Sequence, residues 1–312
     1  MNKIELTDLI KNKSKELGFN LVGITPPHII ENDLLDIWLN KNYHANMQWI
    51  QNRSEERKNI YKYFPEVKSI ISFGYNYYTN QNNLDDNELK ISNYAWGEDY
   101  HIVLKNKLII IIDLLKEKYP KIKYRICVDT SPILEKYWAQ KAGLGWIGKH
   151  TNLINNEIGS WFFLAEILID KKLSYDESFN EDLCGTCTRC LDACPTDALD
   201  PYILNANKCI SYLTIEHRGE VNENLGNNLK NWIYGCDICQ QVCPWNIKFS
   251  KPTNDDNFIK RKELKDMNND NWQSLSVESY KKIFKNSPIK RTKYEGLKRN
   301  IKLNTNIKNN KI

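Results

Sequence analysis

The spacing of one group of cysteines constrains this chain more than anything else in it. Residues 184–195 read C-G-T-C-T-R-C-L-D-A-C-P, that is C-x2-C-x2-C-x3-C-P, the bacterial ferredoxin run for a cubane iron-sulfur cluster. Cys184, Cys187 and Cys190 can hold three irons of one cube, while Cys194, turned away by Pro195, ligates a second. The second set is present as Cys209, Cys236, Cys239 and Cys243, the last three in C-D-I-C-Q-Q-V-C-P. The crossed assignment gives one cluster Cys184, Cys187, Cys190 and Cys243, and the other Cys194, Cys209, Cys236 and Cys239, using eight of the nine cysteines. Zinc is the alternative, because C-x2-C pairs also bind it, but three thiolates within seven residues closed by C-P fit a cube better. Disulfides fit less well still, since the thiols are clustered for metal and no signal peptide precedes them.

At 312 residues the chain is long enough for two or three domains. The opening M-N-K-I-E-L-T-D-L-I-K reads as an amphipathic helix, and no apolar run approaches the roughly 18 residues of a membrane span. A soluble, cytoplasmic protein with no membrane partner is expected. Net charge is +5 but unevenly placed, for residues 251–312 hold 16 Lys+Arg against 7 Asp+Glu. A basic terminal segment suits a polyanionic partner. Because the whole chain is rich in Asn, Lys and Ile, a solvated face is the competing explanation.

Residues 3–17 are expected to be helical, and F-N-L-V-G-I-T (19–25) to be a buried strand. A helix from Pro26 to about Asn40 and a strand over K-S-I-I-S-F-G-Y-N-Y-Y (68–78) follow. Beyond a polar insertion, Asn80 to Lys90, and the segment N-Y-A-W-G-E-D-Y-H comes a long helix from His101 to Tyr119. Lys121 to Val128 is a third strand, Ile133 to Ala142 a helix, and 158–170 a further buried strand. This alternation reads as an α/β domain over 1–172. A ferredoxin-like α+β domain over 178–248 carries the clusters, and a short basic helical segment occupies 252–312.

A two-cube module moves electrons and performs no substrate chemistry, so the receiving site belongs in the first 172 residues. Strand 121–128 delivers Asp129-Thr130-Ser131-Pro132 to its carboxyl end, where α/β folds hold ligands. Asp129 is therefore a candidate catalytic residue, with a turn or helix cap as the alternative. Cys127 is expected to be a buried core thiol. The run G-L-G-W-I-G-K-H-T (143–151) lets backbone approach a large ligand and offers Lys149. It matches no Walker or Rossmann fingerprint, and a tight turn around Trp146 explains it equally well. Tyr94, Trp96, Tyr100 and His101 have an aromatic core edge as their alternative.

Several segments in one order carry a more specific signal. These are G-E-D-Y-H (97–101), V-D-T-S-P-I-L-E-K (128–136), G-L-G-W-I-G-K-H-T, the ferredoxin run, C-I-S-Y-L-T-I-E-H-R-G (209–219), C-D-I-C-Q-Q-V-C-P-W-N (236–246) and S-P-I-K-R-T-K-Y-E-G-L-K-R-N (287–300). Over nearly the whole chain they resemble the epoxyqueuosine reductases, cobalamin-dependent iron-sulfur enzymes of tRNA queuosine synthesis. The resemblance implies a base-off cobalamin in the N-terminal domain and two [4Fe-4S] clusters, one of them near the corrin. The implied substrate is epoxyqueuosine at the wobble position of a tRNA anticodon, whose epoxide oxygen leaves as water at the cost of two electrons and two protons. A low-potential electron donor and a monomeric enzyme are expected. Asp129 matches the family's proton donor, and a carboxyl between corrin and nucleoside would be desolvated, which raises its pKa towards neutrality. The resemblance suggests Arg57, Tyr100, His101, Lys149, Ser211 and Asp237 as corrin contacts, and Arg218, Lys290, Arg291, Lys298 and Arg299 as tRNA contacts.

Two departures stand out. Longer family members continue into a helical-repeat domain, whereas this chain stops soon after S-P-I-K-R, and His150 stands where the family usually has Asn. Two rival functions are a reductive-dehalogenase-like corrinoid reductase, typically exported with a twin-arginine leader that is not seen here, and a non-catalytic electron carrier, which leaves the first domain unexplained.

Overall fold

A computed structural model describes residues 1–80 and 88–309, with side chains through 305; most of the polar insertion at 80–90 lies outside the described residues. Helix α1 (Lys3–Glu16) starts at a capping box: Asn2 Oδ1 accepts the N–H groups of Ile4 and Glu5, and the Glu5 carboxylate accepts the N–H of Asn2. Strands β1 (Leu21–Thr25) and β2 (Ser69–Asn76), helix α2 (Tyr100–Lys118), strand β3 (Tyr124–Cys127), helix α3 (Glu135–Lys141) and strand β4 (Phe162–Ile169) complete the N-terminal unit. The helix expected from Pro26 forms only over Leu34–Asn40. The chain before it is irregular, with a bridge between Ile29 and Asn59, and the Ile30 N–H is held by the Lys58 carbonyl at 2.8 Å.

The four strands form one sheet in the order β1-β2-β4-β3, and every neighbouring pair is antiparallel. This corrects the α/β expectation. Strands β2 and β3 run in the same direction through the α2 crossover, but β4 inserts between them, a split β-α-β arrangement. Alternation along the chain cannot reveal that insertion, because it depends on where a late strand pairs. The pleat then divides the core. Ile71, Phe73, Ile167 and Ile169 face Leu6 and Ile10 of α1 and Leu104, Leu108 and Ile111 of α2, whereas Ile70, Cys127 and Leu168 pack with Trp138 of α3.

The cysteine-rich part and the C-terminal segment lock onto this unit. Trp232–Tyr234 pairs in parallel with Lys90–Ile91, and one core joins Ile91 and Trp96 to Tyr234, Trp272, Phe284, Leu297 and Ile301. Helix α4 (Ile210–Ile215) is crossed by helix α5 (Lys293–Asn309), the basic segment. Buried Asn300 donates from Nδ2 to the carbonyls of Thr214 and Ile233, both at 2.8 Å, and Asn304 donates to that of Trp232 at 3.1 Å. Helix α5 is thus docked by side-chain amides as well as by its apolar face. Among the described residues no helix is long and apolar enough to cross a membrane.

Candidate active site and cluster cradles

Beyond the end of β3 the backbone of Asp129 adopts φ 60°, the left-handed region that non-glycine residues rarely occupy. Two neighbours hold it there. Glu135, the first residue of α3, accepts the Asp129 N–H on Oε1 at 2.6 Å. His101, in the first turn of α2, places Nε2 at 3.2 Å from Asp129 Oδ2 and Nδ1 at 2.7 Å from Asp99 Oδ1. Asp99 also caps α2 by accepting the His101 N–H at 3.0 Å. Tyr100 lies flat on Phe163 of β4, with ring centroids 4.4 Å apart, and stacks against His101 at 4.0 Å. Helix capping and ring stacking therefore orient the imidazole before any ligand arrives.

Burial disfavours the His101 imidazolium, but its hydrogen bonds and charge interactions with Asp129 and Asp99 prevail and raise its pKa to about 9. Burial likewise pushes the Asp129 carboxyl up, yet the hydrogen bond and charge of His101 outweigh it and hold Asp129 below the usual carboxylate range. The upward shift expected of Asp129 concerns a carboxyl enclosed by corrin and nucleoside; in the chain alone His101 holds it low, and the Asp129 side chain, 60% exposed, opens onto the cleft. The acid with a raised pKa is Glu135, which burial and the Asp129 charge push to about 8. Beneath it, Glu166 of β4 is fully buried with neither carboxyl oxygen hydrogen-bonded, and burial keeps it protonated. Cys127, opposite Glu166 in the sheet, is buried with its thiol pushed up to about 12, an inert core residue as expected.

An open cleft of about 410 Å³ runs from Asp129 to Cys194, Cys209, Cys236 and Cys239. Its walls include the apolar and aromatic side chains of Tyr77, Phe162, Phe163 and Leu164. A second cavity of about 330 Å³ is lined by Cys184, Cys187, Cys190 and Cys243. The eight thiols thus divide between two cavities, four and four, as the crossed assignment requires. Backbone and apolar groups surround them: the Ala198 N–H reaches Cys194 Sγ at 3.3 Å, and Ile154, Trp245 and Phe249 wall the second cavity. Soft thiolates in such surroundings fit cubane clusters. The loop 143–151 passes close beside them. At Gly145, φ 152°, a Cβ would stand 2.0 Å from the Ile154 carbonyl oxygen, so only glycine permits this approach.

The remaining candidates separate by position. Tyr100 and Ser211 line the cleft. Lys149 does not; its Nζ donates to the carbonyls of Gly185 at 2.6 Å and Cys187 at 3.0 Å, clamping the loop of the second cavity. Asp237 is buried, with one carboxyl oxygen taking the Ser92 hydroxyl and the other the Asn93 N–H at 2.8 Å. Arg57 donates to the carbonyls of Trp49, Ile50 and Arg53. These three residues hold protein to protein rather than facing the cleft.

The basic candidates are similarly engaged. Arg218 donates to the carbonyls of Ile215 and Arg291, and Arg299 to those of Leu213, His217 and Gly219. Lys290 and Lys298 reach the carbonyls of Lys285 and Gln273, both at 2.6 Å. Arg291 pairs with Glu216 at 2.8 Å and lies over the Trp49 ring at 5.0 Å. Glu135 and Lys136 border the cleft without having been singled out from sequence, although they follow Asp129 within seven residues.

Two four-thiol cradles, one of them opening into a cleft that ends on a carboxylate–imidazole pair, define an iron-sulfur oxidoreductase. Two family profiles agree, the 4Fe-4S double cluster binding domain over residues 183–246 and "Epoxyqueuosine reductase QueG, DUF1730" over 57–130. The epoxyqueuosine reductase of Cyclobacterium marinum is 45% identical over 300 residues, which span 95% of this chain and 95% of the relative. A crystal structure of epoxyqueuosine reductase with an epoxyqueuosine-modified tRNA-Tyr stem loop matches with a TM-score of 0.88 at 28% identity, covering 97% of this chain and 81% of that one. The Bacillus subtilis enzyme, solved with its catalytic aspartate loop swung out of the active site, matches at 0.86 and 27% identity with the same coverage. The chain belongs to the epoxyqueuosine reductase family.

Proposed function

We propose that this chain reduces epoxyqueuosine to queuosine at the wobble position of tRNA anticodons, the last step of queuosine synthesis. The observation that carries the reading is the placement of Asp129, which is bonded to His101, in the same cleft as Cys194, Cys209, Cys236 and Cys239. The two cradles are assigned one [4Fe-4S] cluster each, and the cleft a cobalamin resting against Phe162, Phe163, Leu164, Tyr100 and Ser211. A base-off state of that cobalamin belongs to the same reading. When bound, the clusters and cobalamin supply the two electrons the reaction consumes.

The residues of the chain manage the protons. A ligand filling the cleft strips water from Asp129, and in the lower dielectric a neutral pair is favoured over an ion pair. The proton then passes from His101 Nε2 to Asp129 Oδ2. Asp129 delivers it to the oxygen released as the epoxide opens, as a general acid, and His101, whose side chain is 32% exposed, recharges from water. Two electrons and two protons in total convert the epoxide to the cyclopentene and one water. A cytoplasmic location, a low-potential donor and a monomeric state belong to the same reading. So does the division into a catalytic unit over 1–172, a cluster unit over 178–248 and a basic segment over 252–312.

The test is nucleoside mass spectrometry of tRNA incubated with the fully loaded protein and a strong reductant. Conversion of epoxyqueuosine to queuosine that requires cobalamin is expected, and its retention by protein carrying all three groups contradicts the proposal.

A further inference from the structure

Among the described residues His150 alone borders both cavities. It is 3% exposed, its Nδ1 accepts the Asn152 N–H at 3.2 Å, and its Nε2 is buried with no hydrogen-bond partner. A neutral imidazole whose Nδ1 is an acceptor must carry its hydrogen on Nε2. His150 therefore presents a donor, with no lone pair on Nε2 to offer a metal. Buried donors are nearly always satisfied, and leaving one unpaired is destabilising. Its acceptor is accordingly sought in a group that occupies one of the two cavities.

Thr151 and Asn152, which follow His150, line the cleft, whereas the residues that precede it turn to the second cavity. A Cβ at Gly148 would lie 3.5 Å from Cys184 Sγ, and Lys149 clamps Gly185 and Cys187. The loop that carries His150 is thus folded onto the Cys184–Cys187 turn. Of the other donors around that cavity, Trp245 Nε1 donates to the Leu183 carbonyl, and Lys248, which also lines it, is exposed and lies over the Phe249 ring. Cluster sulfurs are good acceptors, and a donor aimed at one stabilises the reduced cluster, which carries the greater negative charge.

We propose that His150 Nε2–H donates a hydrogen bond to a sulfur of the cluster held by Cys184, Cys187, Cys190 and Cys243, and so raises the reduction potential of that cluster. The inference rests on the cluster assignment and is independent of the substrate. The experiment is an EPR-monitored redox titration of the protein loaded with both clusters and cobalamin, comparing wild type with His150→Leu and His150→Asn. The signal of this cluster is identified as the one that Cys243→Ser removes. His150→Leu should lower its potential by about a tenfold change in the oxidised-to-reduced ratio, about 59 mV for one electron, while the other cluster and the cobalt keep theirs. His150→Asn, which retains an N–H donor, should recover part of the shift. Unchanged potentials in fully loaded His150→Leu, or a shift confined to the other cluster or the cobalt, would overturn the proposal. Wild-type protein labelled with 15N-histidine supplies a check that needs no variant. Pulsed EPR should show a histidine nitrogen coupled to this cluster once reduced, and its absence there would overturn the proposal equally. Either result is readable even if the protein fails to act on tRNA.

Discussion

His101 Nε2 stands 3.2 Å from Asp129 Oδ2 while its Nδ1 stands 2.7 Å from Asp99, so one imidazole is held between two carboxylates, one of which lines the cleft. That arrangement stores a proton beside Asp129. Activity should fall as pH rises through the His101 pKa of about 9. His101→Gln should lower kcat about tenfold to a hundredfold and abolish that alkaline limb. A pH profile of kcat/KM checks both; an unaltered limb in the variant would remove His101 from proton delivery.

Glu135 holds the Asp129 backbone in its left-handed turn through the 2.6 Å bond to Oε1. Glu135→Ala should release the loop and cut kcat at least tenfold with little change in KM for tRNA, since it removes a positioning contact. Glu135→Gln keeps an acceptor and should retain most turnover. Crystal structures of both variants would show whether Asp129 keeps its positive φ.

The raised pKa of Glu135 has a consequence for stability with a definite sign. An acid whose folded pKa exceeds its unfolded value binds the extra proton in the folded state. Its stabilising contribution is complete below 4.5 and is lost as pH rises through about 8. His101 behaves in the same sense over 6.5 to about 9. The depressed Asp129 runs the other way, stabilising above 3.8 and failing as pH drops through its lowered value. Urea denaturation as a function of pH should therefore show a shallower decline between 4.5 and 8 for Glu135→Gln than for wild type.

The crossed cluster assignment predicts that Cys243→Ser and Cys209→Ser each remove one cube and spare the other. Iron content should fall from about eight atoms per chain to about four in either variant. Loss of both clusters from one substitution, with the chain still folded, would contradict two independent cradles.

How far the sequence could be read depended on the range of the interactions involved. Ligand spacing is local, so the cysteines foretold the grouping of eight thiols into two cavities, and the strand-end position of Asp129 was visible for the same reason. The antiparallel sheet was not, because β4 reaches its place between β2 and β3 through long-range pairing. Lys149 and Asp237 carried suitable charges, but distant partners claim them, the Gly185 carbonyl in one case and Ser92 in the other. His101 was recognised as a site residue yet assigned to the corrin; its bond to Asp129 spans 28 positions and appears only in the folded chain. Basic residues near the C-terminus read as RNA contacts, whereas Arg299 satisfies three carbonyls on and beyond α4.

The most direct measurement follows epoxyqueuosine in tRNA under single-turnover conditions, using wild type and Asp129→Asn, each verified to carry both clusters and cobalamin. The account predicts full conversion by wild type and a rate lower by about 10²–10⁴ for Asp129→Asn, the usual worth of a general acid. Near-normal conversion by Asp129→Asn, or no conversion by the loaded wild type, would contradict it.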